Sequence, residues 1–302
     1  MLALVLSGGG CRGAIQAGAA QELFEHGIIP EMYVGTSAGA LNAVFLATES
    51  TLANAQRLSS AWLSARAEDI FPRNPVLAAA RLLGRRDGLF DNDGLRQFIA
   101  SRLPPGVRRF GDLAARAYVT GTNLNTGTLR VFGDDPDDLI LDGLMASTAL
   151  PPYFPPWECE GYQYVDGAAV AGLPIGVALD RGATEIYAVT VEYCGETVGE
   201  VRGILPIVEQ TLNAMTYQQL LCDLERCRQR PGVTLHLVAV CQFQGIPMWD
   251  MSQAAEMVKA GRAAMRTYLE TGKPLIVTPP RRDLWGQIRR PLQRALTRLS
   301  RR

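Results

Sequence analysis

The first 48 residues fix the fold class. Leu2–Leu6 is an unbroken apolar run that ends on Ser7-Gly8-Gly9-Gly10-Cys11-Arg12-Gly13. Residues 14–26 follow with helical spacing, Ile15, Ala19 and Leu23 on one face, and stop at Gly27. Met32–Gly35 is a second short strand-like run, and an apolar helix over 38–48 comes directly after Thr36-Ser37. A continuous apolar run bounded by glycines reads as a strand buried on both faces. Glycine after a periodic segment is a common helix stop. Strand, glycine loop, helix, strand, tight turn, helix is the α/β pattern, a parallel sheet covered by helices.

The rest of the chain extends this pattern. Helical spacing predicts helices over 52–66, 75–84, 93–102, 203–228 and 251–270. Strands are expected at 116–121, 128–132, 162–165, 185–191 and 233–240, with Asn123-Leu124-Asn125-Thr126-Gly127 as a hairpin turn between the first two. Pro151-Pro152-Tyr153-Phe154-Pro155-Pro156 punctuates the middle. No internal repeat and no low-complexity linker divides residues 1–280, which read as one domain. The segment 68–90, with Phe71, Leu77, Leu82 and Leu83, reads as a lid or as core.

Residues 281–302 differ. They hold eight arginines and one acid, Asp283, out of 30 basic and 30 acidic residues, leaving 22 against 29 before them. Leu284, Ile288, Leu292, Leu296 and Leu299 fall near helical spacing among those arginines, with Trp285 beside them. Such a basic amphipathic tail suits an anionic membrane surface. It equally suits packing on the mildly acidic body. Nothing in the body supports a nucleic-acid partner.

Composition excludes several classes. With 47% hydrophobic and 20% charged residues the chain can bury a large core and is not disordered. No apolar run approaches the roughly 18–20 residues of a membrane span. The start, MLALVLSGGG, lacks a basic leader and is too short for a signal peptide, so it reads as a strand. Six cysteines without a CxxC pair, and only two histidines, argue against a zinc site. Reduced thiols and a cytoplasmic location are the expectation, with peripheral membrane attachment as the tail's contribution.

Two motifs carry chemistry. In the glycine loop, Gly8, Gly9 and Gly10 allow backbone N–H groups to converge at a helix N-terminus, which makes an anion site. One reading is a dinucleotide pyrophosphate, since Gly8, Gly10 and Gly13 satisfy GxGxxG. That fingerprint wants an acid at the end of the second strand, whereas Glu31 precedes it and Gly35-Thr36-Ser37 stands there. A second reading is an oxyanion hole for acyl transfer, and a third is a plain tight turn. The other motif is Gly35-Thr36-Ser37-Ala38-Gly39, a GxSxG between strand and helix. That context puts Ser37 on a strained turn as a nucleophile, with the Ala38 N–H as a further oxyanion donor.

Ser37 then needs a base. His26 ends a helix before Gly27, where a basic cap is its expected role. His236 sits in mid-strand, in Leu235-His236-Leu237, which is the place of a satisfied core histidine. Asp166, in Val165-Asp166-Gly167-Ala168, ends a strand and starts a loop of small residues. A free aspartate, with pKa about 3.9, is a weak base for a hydroxyl, and desolvation would strengthen it. Asp-Gly equally makes a simple turn, so spacing alone leaves both roles open.

Taken together, Gly8-Gly9-Gly10-Cys11-Arg12-Gly13, Gly35-Thr36-Ser37-Ala38-Gly39 and Asp166-Gly167-Ala168 resemble the signature blocks of patatin-like phospholipases, in order. Ala146-Ser147-Thr148-Ala149-Leu150-Pro151 is similar to a fourth block, and the likeness covers roughly residues 1–270. The resemblance implies a three-layer α/β/α sandwich with a mostly parallel central sheet. It implies hydrolysis of carboxylic esters in phospholipids or related lipids, of phospholipase A, lysophospholipase or esterase type, without metal or cofactor. Ser37 would be the nucleophile and Asp166 its base, with Gly9, Gly10 and Arg12 lining the oxyanion hole. Ala168 stands where many members carry a second glycine. A nucleotide-binding enzyme and a non-catalytic lipid-binding member are the alternatives.

Overall fold

A computed structural model describes residues 1–71, 84, 87–191, 199–273 and 275–277. The expected helix at 75–84, most of the lid segment 68–90 and the whole tail 281–302 lie outside the described residues.

The chain runs β1 (Leu2–Leu6), α1 (Gly13–Glu25), β2 (Met32–Gly35), α2 (Ala38–Thr48), α3 (Leu52–Ser64) and the single turn α4 (Ala67–Ile70). Then come α5 (Asp93–Ala100), β3 (Arg116–Asn123), β4 (Thr128–Phe132) and α6 (Ile140–Thr148). The hairpin β5 (Trp157–Cys159) and β6 (Tyr162–Asp166) leads into the short α7 (Ala168–Ala171) and α8 (Ile175–Asp180). β7 (Glu185–Thr190), α9 (Ile204–Gln229), β8 (Thr234–Val240), α10 (Ala254–Thr271) and β9 (Leu275–Val277) complete it.

The strands form one sheet in the order β5-β6-β3-β2-β1-β7-β8-β9, with β4 on β3. From β3 to β9 along that path every pairing is parallel, while β4, β6 and β5 add antiparallel pairings at one side. The expectation of a mostly parallel sheet holds for its centre. Side chains alternate across it as strand geometry requires. Leu4, Leu6 and Tyr33 pack into the layer built from α1, α2, α3, α6 and α10. Ala3, Val5, Met32 and Val34 pack against α8 and α9 on the opposite face. The result is the three-layer α/β/α sandwich.

α1 is held to α10 by charge as well as by apolar packing. Glu22, 1% exposed, accepts hydrogen bonds from Arg262 at 3.0 Å and Arg266 at 2.7 Å. Cys11, Cys159, Cys222 and Cys227 are free thiols, but Cys241 is disulfide-bonded. That corrects the expectation of reduced thiols throughout. No CxxC spacing marks the bond in the sequence. Among the described residues no helix is long and apolar enough to cross a membrane.

Candidate active site

The site sits beyond the carboxyl ends of β1 and β2, and strand register explains why two distant segments meet there. β2 runs parallel to β3, with Gly35 opposite Val119. β4 occupies the other edge of β3 along Val119–Asn123. β6 must therefore join the same edge as β2, just past its end, and it does so antiparallel with Asp166 opposite Gly121. Two residues beyond Gly35, Ser37 arrives at that same level. One strand thus serves as the ruler for both residues.

Ser37 occupies φ 56°, ψ −123°, a region that costs a non-glycine residue about 1–3 kcal/mol. The turn closes because α2 starts almost on top of β1. A Cβ on Gly39 would lie 2.4 Å from the carbonyl oxygens of both Leu6 and Ser7. Thr36 fastens the turn sideways: its hydroxyl donates to Ala171 O and receives the Thr120 hydroxyl, both at 2.6 Å. The Ser37 N–H donates to Ser147 Oγ at 2.8 Å.

Asp166 is 2% exposed. Its Oδ1 accepts the Ala168 N–H at 2.9 Å, and its peptide N–H donates to Ala149 O at 3.0 Å. Oδ2 is buried and makes no hydrogen bond. Burial pushes the carboxyl up to about 7, against the opposing pull of the Ala168 N–H and of the neighbouring Ser37 hydroxyl. The hydroxyl is thus near enough to act on the carboxyl electrostatically, but the Ser37–Oδ2 hydrogen bond is not closed.

The glycine loop borders the same cavity, of about 430 Å³, as Ser37 and Asp166. Gly9 and Gly10 have positive φ of 150° and 57°, and a Cβ on Gly10 would meet Met248 O at 2.7 Å. Among the described residues the N–H groups of Gly9, Gly10 and Ala38 have no backbone or side-chain acceptor, so they remain available to an anion. Gly8 differs from the other expected oxyanion donors. Its N–H donates to Gly172 O, just past α7, at 3.1 Å. Arg12 lines the cavity, with Nη1 donating to Ile246 O at 3.2 Å and Nε buried without a partner. Gly13 fits against Trp62, and Gly167 against Thr120, as structural members of their motifs. A buried network ties loop to elbow: Trp62 donates to Asn42, and Asn42 donates to Gly13 O and to Gln16 Oε1.

Other candidates separate from the site. His236 stacks on Tyr187 with centroids 4.1 Å apart, and its ring nitrogens contact Tyr268 Oη at 2.6 Å and Glu185 at 3.2 Å. His26 contacts Glu22 O. Neither borders the cavity. Glu31 accepts from the Leu2 N–H, at the opposite end of β1 from the glycine loop, where no ribose held by that loop would reach it. Among the described residues no group of three or more His, Cys, Asp or Glu could hold a metal ion. Sequence reasoning missed the far wall, made by Glu209, Leu212 and Asn213 of α9 with Tyr153, Met248 and Trp249. Tyr153 donates to Glu209 Oε1 at 2.5 Å.

A model of the family described as patatin-like phospholipase matches residues 4–179. Patatin-like phospholipase domain-containing protein 7 of Rattus norvegicus is 29% identical over 198 residues, which cover 65% of this chain and 14% of that protein. The uncharacterized protein YqhO of Bacillus subtilis (strain 168) is 28% identical over 209 residues, covering 62% and 70%. Lysophospholipase NTE1 of Mycosarcoma maydis is 28% identical over 204 residues, covering 65% and 10%. The matched part of this chain thus corresponds to a small fraction of the first and third relatives. The crystal structure of VipD from Legionella pneumophila aligns over 89% of this chain and 66% of that one, at 18% identity and a TM-score of 0.47.

Proposed function

The chain belongs to the patatin-like phospholipase family, and we propose that it hydrolyses carboxylic esters of phospholipids or related acyl lipids by a Ser37–Asp166 mechanism. The observation that carries this reading is a serine in a strained elbow beside a buried carboxylate whose pKa stands at about 7, with Oδ2 unpartnered. An aspartate at its ordinary pKa would be a feeble base. A rise of about three units strengthens it by about 4 kcal/mol of proton affinity.

In this mechanism Ser37 Oγ attacks the ester carbonyl carbon as Oδ2 takes its proton. Charge gathers on the carbonyl oxygen, where the N–H groups of Gly9, Gly10 and Ala38 receive it. The Arg12 guanidinium adds positive charge from the cavity wall. The tetrahedral species collapses, the C–O bond to the alcohol breaks, and Asp166 returns the proton to that alcohol. Water then attacks the acyl-enzyme, gives a proton to Asp166, and releases the carboxylic acid with Ser37 restored. Head group and chain preference are left to the α9 wall, which lies beyond the residues of the family match.

Labelling with a fluorophosphonate tests this reading. Wild-type protein should be labelled and Ser37→Ala should not. Asp166→Asn should be labelled on the order of 100-fold more slowly or less, whereas His236→Asn should behave as wild type. An unlabelled wild-type protein would leave the non-catalytic, lipid-binding reading in its place. We also propose peripheral attachment to anionic membranes through 281–302. Binding to anionic liposomes that survives deletion of those residues would sink that idea.

A further inference from the structure

Asp166 is the last residue of β6, and Ser37 lies two residues beyond the end of β2. β2 stops at Gly35, so the Ser37 N–H has no ladder partner. It donates instead to the Oγ of Ser147, which is fully buried at the end of α6. Two residues further on, the Ala149 carbonyl accepts the Asp166 N–H. A single turn of chain therefore grips the backbone of both residues on the same side of the site. We propose that Ser147 is a positioning residue for the reaction, its Oγ and the Ala149 carbonyl forming a clamp that sets the nucleophile against its base.

The physical case starts from the strain at Ser37. A residue at positive φ stays there only when its surroundings over-determine it. The Ser37 N–H is a buried donor, and removing the fully buried Ser147 Oγ, which does not line the cavity, would leave it without its acceptor. Relaxation of φ would relieve both problems and would swing Ser37 Oγ away from Asp166. A serine in the last turn of a helix more often bonds back to its own helix, as Thr148 does to Leu144 O at 2.7 Å. Ser147 Oγ reaches across to the elbow instead.

This inference rests on the Ser37–Asp166 reading above, and one experiment separates the two. Ser147→Cys keeps the size of the side chain and replaces a good acceptor by a weak one. Ser147→Ala removes the acceptor. Ser59→Ala, which removes a buried hydroxyl bonded to Gln21 far from the cavity, serves as the stability control. Fluorophosphonate labelling of Ser37, hydrolysis of a p-nitrophenyl acyl ester and melting temperature are measured on the full chain. Both Ser147 variants should be labelled roughly 10- to 100-fold more slowly, with kcat reduced in parallel and KM within about threefold. Their acidic limb should move to higher pH, because the Ser37 hydroxyl, after the Ala168 N–H, is one of the two groups that draw the buried Asp166 carboxyl down. Adding Ser147→Ala to Asp166→Asn should cost little more, since both act on one unit. Ser59→Ala should melt lower and label at the wild-type rate. A folded Ser147→Cys labelled at the wild-type rate overturns the clamp and leaves the hydrolase reading intact. So does a Ser59→Ala that slows labelling equally. A wild-type protein that is not labelled at Ser37 overturns both.

Discussion

The Ser37 hydroxyl lies near enough to pull on the Asp166 carboxyl, whose Oδ2 makes no hydrogen bond while Oδ1 accepts the Ala168 N–H. A carboxylate so placed must be ionised to accept a proton, and burial sets its pKa at about 7. On the proposed mechanism, activity rises with pH through that value. We expect kcat/KM for a neutral acyl ester to be low at pH 5.5 and to level off above about pH 8, with a single acidic limb near 7. A limb near 4 would show that the carboxyl is solvated in solution and that its burial here is not the working state.

The same shift has a consequence for stability, with the opposite sense. A carboxyl whose folded pKa is raised from 3.8 to about 7 favours the folded state while protonated. That contribution is complete below the unfolded pKa and is lost as pH rises through 7. At pH 8 the buried charge costs up to about 4 kcal/mol. Asp166→Asn removes the charge and keeps the shape. The melting temperature of the variant relative to wild type should rise between about pH 4 and pH 7 and level off above that. A difference that stays flat over that range contradicts the raised pKa.

Local chemistry was legible in the sequence; long-range contact was not. The elbow could be read because each of its residues meets a local demand: Gly39 for the approach to Leu6 and Ser7, small neighbours for the turn, an apolar run on either side. β1 and β2 fall where their apolar runs end at glycine, and α2 ends where its apolar run gives way to Glu49-Ser50-Thr51. Asp166 could be named partly by its strand end and the poor placement of both histidines and largely by resemblance, because what raises its pKa is burial under segments that the sequence does not place. Ser147 belonged to a similar block, yet no pattern of residues 146–151 signals that its hydroxyl reaches the elbow. The far wall was invisible for a related reason. α9 carries apolar residues on more than one face, Ile204 and Ile207 exposed and Leu220 buried, so its spacing does not say which side meets the cavity. The Gly8 N–H is engaged by Gly172, a contact that no motif encodes.

Glu22 offers a test of the layer behind the site. Its burial raises the carboxyl's pKa, but hydrogen bonds from Arg266 and Arg262 outweigh this and hold it below the ordinary value. Stability from this group is present above the unfolded pKa and is lost as pH falls below about 4.5 through the lower folded value. The arginines are partly exposed, which reduces the worth of the cluster, and we expect Glu22→Gln to cost about 1–3 kcal/mol at pH 7. Urea unfolding at pH 7 and pH 4 measures both effects. The variant should lose less stability than wild type on acidification. Equal losses would mean that the pair contributes through packing alone.

The elbow itself can be tested by adding one methyl group. In Gly39→Ala the new Cβ would lie 2.4 Å from two backbone carbonyl oxygens of β1, atoms that move only if the strand end moves. Gly27 presents the opposite case: positive φ of 75° with open space around it. There an alanine meets only the left-handed backbone penalty, about 1–2 kcal/mol. Gly39→Ala must overpack a site bounded by backbone, which costs about 3 kcal/mol or more, and it displaces Ser37 in doing so. We expect Gly27→Ala to lower the urea midpoint modestly and to retain full labelling at Ser37. Gly39→Ala should lower the midpoint further and lose labelling even in conditions where it remains folded. If Gly39→Ala were the milder change, close approach of α2 to β1 would not be what holds Ser37 in its strained turn.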